Sequence, residues 1–255
     1  MKYNIFVINL DRSKERLERI RTELNNIKLP FERISAIDGK TLNNKKIATY
    51  YAKDLNRKYY YAPLKAGQIG CYISHIKACH KILEEGLDYG IIIEDDIAIN
   101  NGFEFIPAAL ESINIKWNYI KLIAPFKKKK ITERIPLKAN RLPLECKIRF
   151  ELIRWNKVPT GTQAYAITRK GAEEFILKRS KFFRPIDVDL QYEWETNLDI
   201  IGLTPELCKI TDIKSEIGHT KPTPHYRGAR LLYQIKYFIN SIAKRKNKDE
   251  NNSQY

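Results

Sequence analysis

Three consecutive carboxylates, Glu94, Asp95 and Asp96, interrupt the apolar stretch YGIIIEDDIAIN (89–100) in a chain whose formal net charge is +16. Side by side they repel one another, and such a group is tolerated chiefly where a cation neutralises it. Carboxylate oxygens are hard donors and favour Mg²⁺ or Mn²⁺. A strand that stops at this triplet delivers its acids to the carboxyl edge of a sheet, where open α/β sheets bind ligands. Strand alternation puts Glu94 and Asp96 on one side and Asp95 on the other. The competing reading is a solvated acidic turn behind a buried strand.

The four histidines divide by context. His80 falls in the middle of the apolar face of a helix over 68–85 and reads as a satisfied core residue. His75 lies at the edge of that face, beside Ser74, within reach of a ligand. His219 sits in the Gly- and Pro-rich IGHTKPTPHYRG, where a loop histidine could complete an oxygen-rich metal site. His225 reads as a surface loop residue.

The elements around these residues spell an α/β protein. YNIFVINL (3–10) is an apolar, β-branched strand, followed by KERLERIRTEL with Leu17, Ile20 and Leu24 at helical spacing and Ser13 or Asp11 as N-cap. FERISAIDG (31–39) is a second strand ending in a turn at Asp38-Gly39. The stretch 41–65 is polar, Tyr-rich and without a clear period. The 68–85 helix ends at Gly86, and GIIIEDD (90–96) reads as a strand covered on both faces. A helix over 103–113, a strand over 118–124, a basic, turn-rich stretch through KKKKITERIPLKANRLP, an antiparallel strand over 146–155, a strand over 161–168 and a helix over 169–178 follow.

From Arg227 to Lys248 there are seven basic residues and no acidic one. Leu231, Leu232, Ile235, Phe238, Ile239 and Ile242 share a helical face, so this segment suits either an anionic membrane surface or docking on the core. The expected organisation is one domain over 1–226 and a basic amphipathic helix with a disordered tail over 227–255. The N-terminus reads as a strand rather than a signal peptide, and no apolar run is long enough to span a membrane. Four cysteines without a CxxC argue against structural zinc or a disulfide framework and fit a reducing compartment.

FVINLDRSKERLERI, ISAIDG, GQIGCYISHIKACHKILEEGLDYGIIIEDDI and GTQAYAITRKGAEEFI occur in that order, and the chain resembles glycosyltransferase family 25, the lipooligosaccharide galactosyl- and glucosyltransferases related to collagen galactosyltransferases. The resemblance implies a GT-A-like fold, a UDP-galactose or UDP-glucose donor, Mn²⁺ (or Mg²⁺) and inversion at the anomeric carbon. It implies a metal held by Glu94 and Asp96 with His219 completing the set. The donor would be held by Asn9, Leu10, Arg12, Asp38, Gly39, His75, Glu94 and Asp95, with Thr160 and Gly161 beside the sugar. Inversion also needs a general base. In RPIDVDLQYE the candidates are Asp187, at a Pro-x-Asp-like position, and Asp189, with a helix N-cap as the competing role for Asp187. Lys127–Lys130 would attract phosphorylated core sugars. A lipooligosaccharide acceptor implies a cytoplasmic enzyme attached peripherally to the inner face of the membrane, without nucleic-acid partners.

Two other classes compete. A non-catalytic nucleic-acid-binding protein accounts for the charge and the Tyr/Lys-rich 57–61 but not for acids at a strand end. A Mg²⁺-dependent nuclease uses both, yet the sequence offers no second acidic cluster for a two-metal site.

Overall fold

The structure, a computed structural model, describes residues 1–124, 130–211, 230–239 and 241. The elements run β1 (Tyr3–Asn9), α1 (Lys14–Asn26), β2 (Glu32–Ser35), α2 (Asn44–Tyr50), α3 (Lys53–Tyr59), α4 (Ala66–Glu84), β3 (Tyr89–Glu94), β4 (Ile97–Ile99), α5 (Ile106–Glu111) and β5 (Tyr119–Lys121). They continue with β6 (Ile131–Pro136), β7 (Glu151–Trp155), β8 (Ala164–Thr168), α6 (Arg169–Lys178), α7 (Ile186–Asp189), α8 (Glu193–Thr196), β9 (Ile200–Thr204) and β10 (Cys208–Ile210).

Eight strands form one mixed sheet in the order β2-β1-β3-β8-β5-β9-β7-β6, while β10 and β4 make a separate antiparallel pair. β1 runs parallel to both β2 and β3; β8 is wedged antiparallel between β3 and β5. Strand alternation explains why the central residues of β1 (Ile5–Ile8) and β3 (Ile91–Ile93) are all apolar. Phe6, Ile8 and Ile92 face a core built on Tyr72, Ile76 and Cys79 of α4 and Phe175 of α6. Ile5, Val7, Ile91 and Ile93 face a second core with Ile20 and Leu24 of α1 and Leu110 of α5. A sheet buried on both faces requires this composition. The result is the mixed, helix-flanked α/β architecture of a GT-A-like fold.

Several elements are shorter than expected or absent from the sequence reading. The expected 103–113 helix is a 3₁₀ turn at Phe103–Phe105 followed by α5, with Pro107 in its first turn. The 146–155 strand begins only at Glu151. The unassigned 41–65 stretch holds two one-to-two-turn helices, α2 and α3, tied down where the Asn56 amide donates to the carbonyls of Ala62 and Phe183 at 3.0 and 2.8 Å. The turn-rich basic stretch contains edge strand β6, antiparallel to β7.

Residues 230–239 are helical. Tyr233 and Tyr237, one turn apart, pack edge-on against Tyr60 and Tyr192 at centroid distances of 5.4 and 5.1 Å, and the Lys157 ammonium lies 4.2 Å from the Tyr237 ring. The opposite side, Leu231, Leu232, Ile235, Phe238 and Ile239, remains 46–64% exposed. Docking is thus achieved by tyrosines, and the apolar face read from the sequence points outward.

Candidate active site

A pocket opens at the carboxyl ends of β1, β2 and β3, the edge at which open α/β sheets hold ligands. Its walls are Leu10, Arg12 and Arg16 after β1, Asp38–Lys40 after β2, Gly67, Cys71, Ser74 and His75 on α4, and the three acids after β3. Two glycines let the β2 turn lie against α4. A Cβ on Gly39 would come within 1.7 Å of the Ala66 carbonyl oxygen, and one on Gly70 within 2.3 Å of the Ile37 oxygen. The Ile37 amide then donates to Ser74 Oγ at 2.8 Å, fixing Asp38 at the rim.

β3 ends at Glu94, and Asp95 and Asp96 form the turn into β4. Strand alternation therefore stops one residue early, and all three acids line the pocket instead of splitting between its sides. Their environments differ. Glu94 accepts from Thr162 Oγ1 at 2.8 Å and lies 3.5 Å from His75 Nε2. Burial pushes its carboxyl up, but His75, Thr162 and Lys121 together outweigh burial and hold it below the ordinary range. Asp95 accepts from Asn9 Nδ2 at 2.7 Å and Arg16 Nη1 at 3.3 Å, while the Arg19 guanidinium holds its carbonyl at 2.7 Å. Burial exceeds these partners and leaves its carboxyl raised. Asp96 is pushed up to about 7 by burial and then by the charges of Glu94 and Asp95. Its Oδ1 is buried without a hydrogen-bond partner among the described residues. Glu94 is anchored and Asp95 is paired; Asp96 keeps an oxygen that only a cation or a donor would satisfy.

The other expected residues sort into three groups. Leu10, Arg12, Asp38, Gly39 and His75 line the pocket, with Arg12 ion-paired to Asp38. Asn9 does not: it is 2% exposed and spends its amide on Asp95 and the Ser13 carbonyl, so it positions an acid from behind. Thr160 and Gly161 lie outside the pocket wall, and their neighbour Thr162 supplies the contact with Glu94. Gly161, at φ +95°, offers its carbonyl to the Lys121 ammonium.

His80 is exposed, not core, because the packing stripe in the second half of α4 is His75, Ala78, Cys79 and Ile82. Asp187 lies inside α7, whose N-cap is Pro185, so it is not the cap. Its carboxyl is raised by burial, opposed by backbone hydrogen bonds from Val188 and Gly161 and by Lys121. Asp189 has a different fate. It is 1% exposed and accepts from Arg179 Nε at 2.5 Å, Tyr72 Oη at 2.6 Å and Arg184 Nη1 at 3.0 Å, which makes it a structural anchor and removes it as a base. His219, His225 and Lys127–Lys129 lie outside the described residues.

Lys121 escaped the sequence reading. It is 1% exposed, lowered to about 8 by burial, and feels the charges of Asp187 and Glu94. A lysine inside the apolar run YIKLIA was the available signal. Cys71 was also missed, since its relevance depends on α4 converging on Glu94; Thr162, read with Thr160 and Gly161 as a source of hydroxyl groups near the donor sugar or acceptor, instead donates to Glu94.

The profile of Glycosyltransferase family 25 (LPS biosynthesis protein) matches residues 2–190. The chain belongs to glycosyltransferase family 25. Among curated relatives it is 29% identical to procollagen galactosyltransferase 1-A of Xenopus laevis over 125 residues, 46% of this chain and 20% of that protein. It is 31% identical to procollagen galactosyltransferase 2 of Homo sapiens over 103 residues, 39% of this chain and 16% of that one. A probable inactive glycosyltransferase 25 family member 3 of Bos taurus matches at 28% over 125 residues, 46% of this chain and 21% of that one. The chain thus spans about a fifth of the length of these relatives. The family 25 match takes in every pocket residue together with Lys121, Thr162, Asp187 and Asp189, and stops short of His219 and the 230–239 helix.

Proposed function

We propose that this family 25 chain is an inverting hexosyltransferase that takes galactose or glucose from a UDP-sugar and delivers it to a lipooligosaccharide core acceptor, with Mn²⁺ or Mg²⁺ as cofactor. The observation that carries the reading is the buried, unpartnered Oδ1 of Asp96 beside anchored Glu94 in a pocket rimmed by Arg12, Asp38 and Lys40. Two oxygen donors, one of them raised by burial and by its acidic neighbours, fit a hard divalent cation. Held there by Glu94 and Asp96, such a cation supplies Lewis-acid neutralisation of the departing diphosphate.

The chain's own groups do the rest. Arg12 and Lys40 offer positive charge to phosphates at the rim, and Asp38 offers an acceptor to ribose or uracil. Arg16 and Asn9 hold Asp95, which keeps the turn bearing Asp96 in place. Asp187 takes the proton of the acceptor hydroxyl at its carboxylate; burial raises its affinity for protons above that of a free carboxylate, which favours that role. Lys121 tempers the field of Asp187 and Glu94 from beneath. Among the described residues no three carboxylates bring their oxygens within 4.8 Å of one another, which speaks against the two-metal nuclease reading.

Membrane attachment belongs to the same proposal. No helix among the described residues is long and apolar enough to cross a membrane. The exposed face of Leu231, Leu232, Ile235, Phe238 and Ile239, in a segment rich in Lys and Arg, suits the cytoplasmic surface of an anionic bilayer. Phe238→Ser with Ile239→Ser should reduce cosedimentation with anionic vesicles, and unchanged cosedimentation would remove the membrane role. The function itself is tested by UDP release from a panel of UDP-sugars, with Mn²⁺ and after chelation. Release of UDP from UDP-galactose or UDP-glucose that stops on chelation is expected; no binding or release from any donor would overturn the proposal.

A further inference from the structure

The donor pocket holds a second set of ligand atoms, chemically unlike the carboxylates. Cys71 and His75 stand one turn apart on α4 and converge on Glu94, so that Cys71 sulfur, a His75 ring nitrogen and a Glu94 oxygen all lie within 4.8 Å of one another. His75 is fully buried, and its Nε2, 3.5 Å from Glu94 Oε1, makes no hydrogen bond. The opposite ring nitrogen, Nδ1, lies 2.9 Å from the Tyr165 hydroxyl. Nε2 is therefore the ring nitrogen turned toward Cys71 and Glu94, and it supplies its lone pair to an ion bound between them while Nδ1–H donates to that hydroxyl. Thr162 fixes Glu94 from the other side at 2.8 Å. Both the imidazole and the carboxylate are therefore oriented by groups behind them, as ligands of bound metals are.

One sulfur, one nitrogen and one oxygen donor, with a fourth position open to the pocket, is the donor set of a tetrahedral Zn²⁺ site. A thiolate selects borderline-soft ions over Mn²⁺ or Mg²⁺, and it has no place in a site meant only for hard cations. We propose that Cys71, His75 and Glu94 bind a borderline-soft divalent cation of the Zn²⁺ class, and that occupancy there blocks the donor by claiming Glu94. Binding replaces the Cys71 S–H bond with a sulfur–metal bond and releases that proton to solvent; nothing is oxidised or reduced. Glu94 thus belongs to two competing sets: with Asp96 for a hard ion, with Cys71 and His75 for a soft one. The site rests on its own geometry, whereas the block on the donor rests on the function proposed above.

Co²⁺, a spectroscopic stand-in for Zn²⁺, tests the site in the full chain without nucleotide. One equivalent should produce a near-ultraviolet thiolate-to-cobalt band, bleached by Zn²⁺. Cys71→Ser should abolish the band while Cys79→Ser, Cys146→Ser and Cys208→Ser retain it, which separates this thiol from the other three. Tyr165→Phe should weaken Co²⁺ about 10-fold or more by releasing the His75 ring. Melting of each variant by circular dichroism identifies those that fail to fold; for these, Zn²⁺-dependent protection of Cys71 from alkylation in the unmutated chain gives the answer instead. Absence of a thiolate band, a band that survives Cys71→Ser, or no Zn²⁺ protection would overturn the site. A band accompanied by undiminished binding of UDP at saturating Zn²⁺ would overturn the block. Donor turnover without a band would refute this site and spare the proposed function; a band without donor turnover under any condition would do the reverse.

Discussion

Two groups of buried carboxylates lie within one molecule and are treated in opposite ways. Asp189 and Glu195 face Arg179 and Arg184, with six charge-assisted hydrogen bonds between 2.5 and 3.1 Å among the four residues. Glu94, Asp95 and Asp96 crowd one another, and one oxygen of Asp96 has no hydrogen-bond partner among the described residues. Charge is matched in the first region and concentrated in the second. A matched network holds α6, α7 and α8 together; a concentrated one costs stability and is kept where a ligand relieves it.

The largest effect expected from breaking this contrast is on the matched side. Asp189→Ala leaves two buried guanidiniums facing a single carboxylate and should destabilise the fold by about 3–5 kcal/mol, read as a lowered midpoint in denaturant unfolding. A loss below about 1 kcal/mol would mean that the network is not the anchor described.

Lys121→Met sharpens the concentrated side. The Lys121 ammonium is lowered from its ordinary 10.5 to about 8, so between those values the unfolded chain holds a proton the folded chain has lost. Stability from this group therefore rises with pH across that window, and below it the folded state bears the whole cost of the buried charge. The shift corresponds to about 3 kcal/mol. Lys121→Met should raise stability at pH 7 by up to that amount, flatten the slope between pH 8 and 10.5, and slow sugar transfer at least about tenfold. A drop in stability at pH 7 would contradict the assignment.

Glu195→Gln gives the smallest change. Its side chain is 29% exposed and the amide keeps one acceptor for the arginines, so about 1 kcal/mol is expected in the same unfolding assay. A cost equal to that of Asp189→Ala would place the centre of the network at Glu195 instead.

Much of the frame was legible because buried strands and helices announce themselves. β1 and β3 carry the apolar runs Ile5–Ile8 and Ile91–Ile93, α1 carries Ile20 and Leu24 at helical spacing, and the family motifs fix their order. β6 was hidden because an edge strand needs no apolar face, and ITERIP has mostly exposed side chains. α2 and α3 were hidden because Asn56 and Tyr51, rather than a stripe, tie them down.

The same limit applied in the site. The EDD triplet and the Asp38-Gly39 turn could be read directly, whereas the division of labour among the acids follows from partners that arrive from far along the chain. Asn9 and Arg16 reach Asp95, and Thr162 reaches Glu94. Asp187 and Asp189 look alike in sequence, and only the placement of Arg179, Arg184 and Tyr72 tells them apart.

In the function proposed above, Asp96 is a binding carboxylate and not a structural one. Calorimetric titration of UDP into the wild-type chain and Asp96→Ala, with and without Mn²⁺, addresses it most directly when each protein's melting midpoint is recorded alongside. Mn²⁺-dependent UDP binding should disappear in Asp96→Ala while its midpoint at pH 7.5 stays equal or rises. Retained Mn²⁺-dependent binding, or a fall in midpoint matching that of Asp189→Ala, would contradict it.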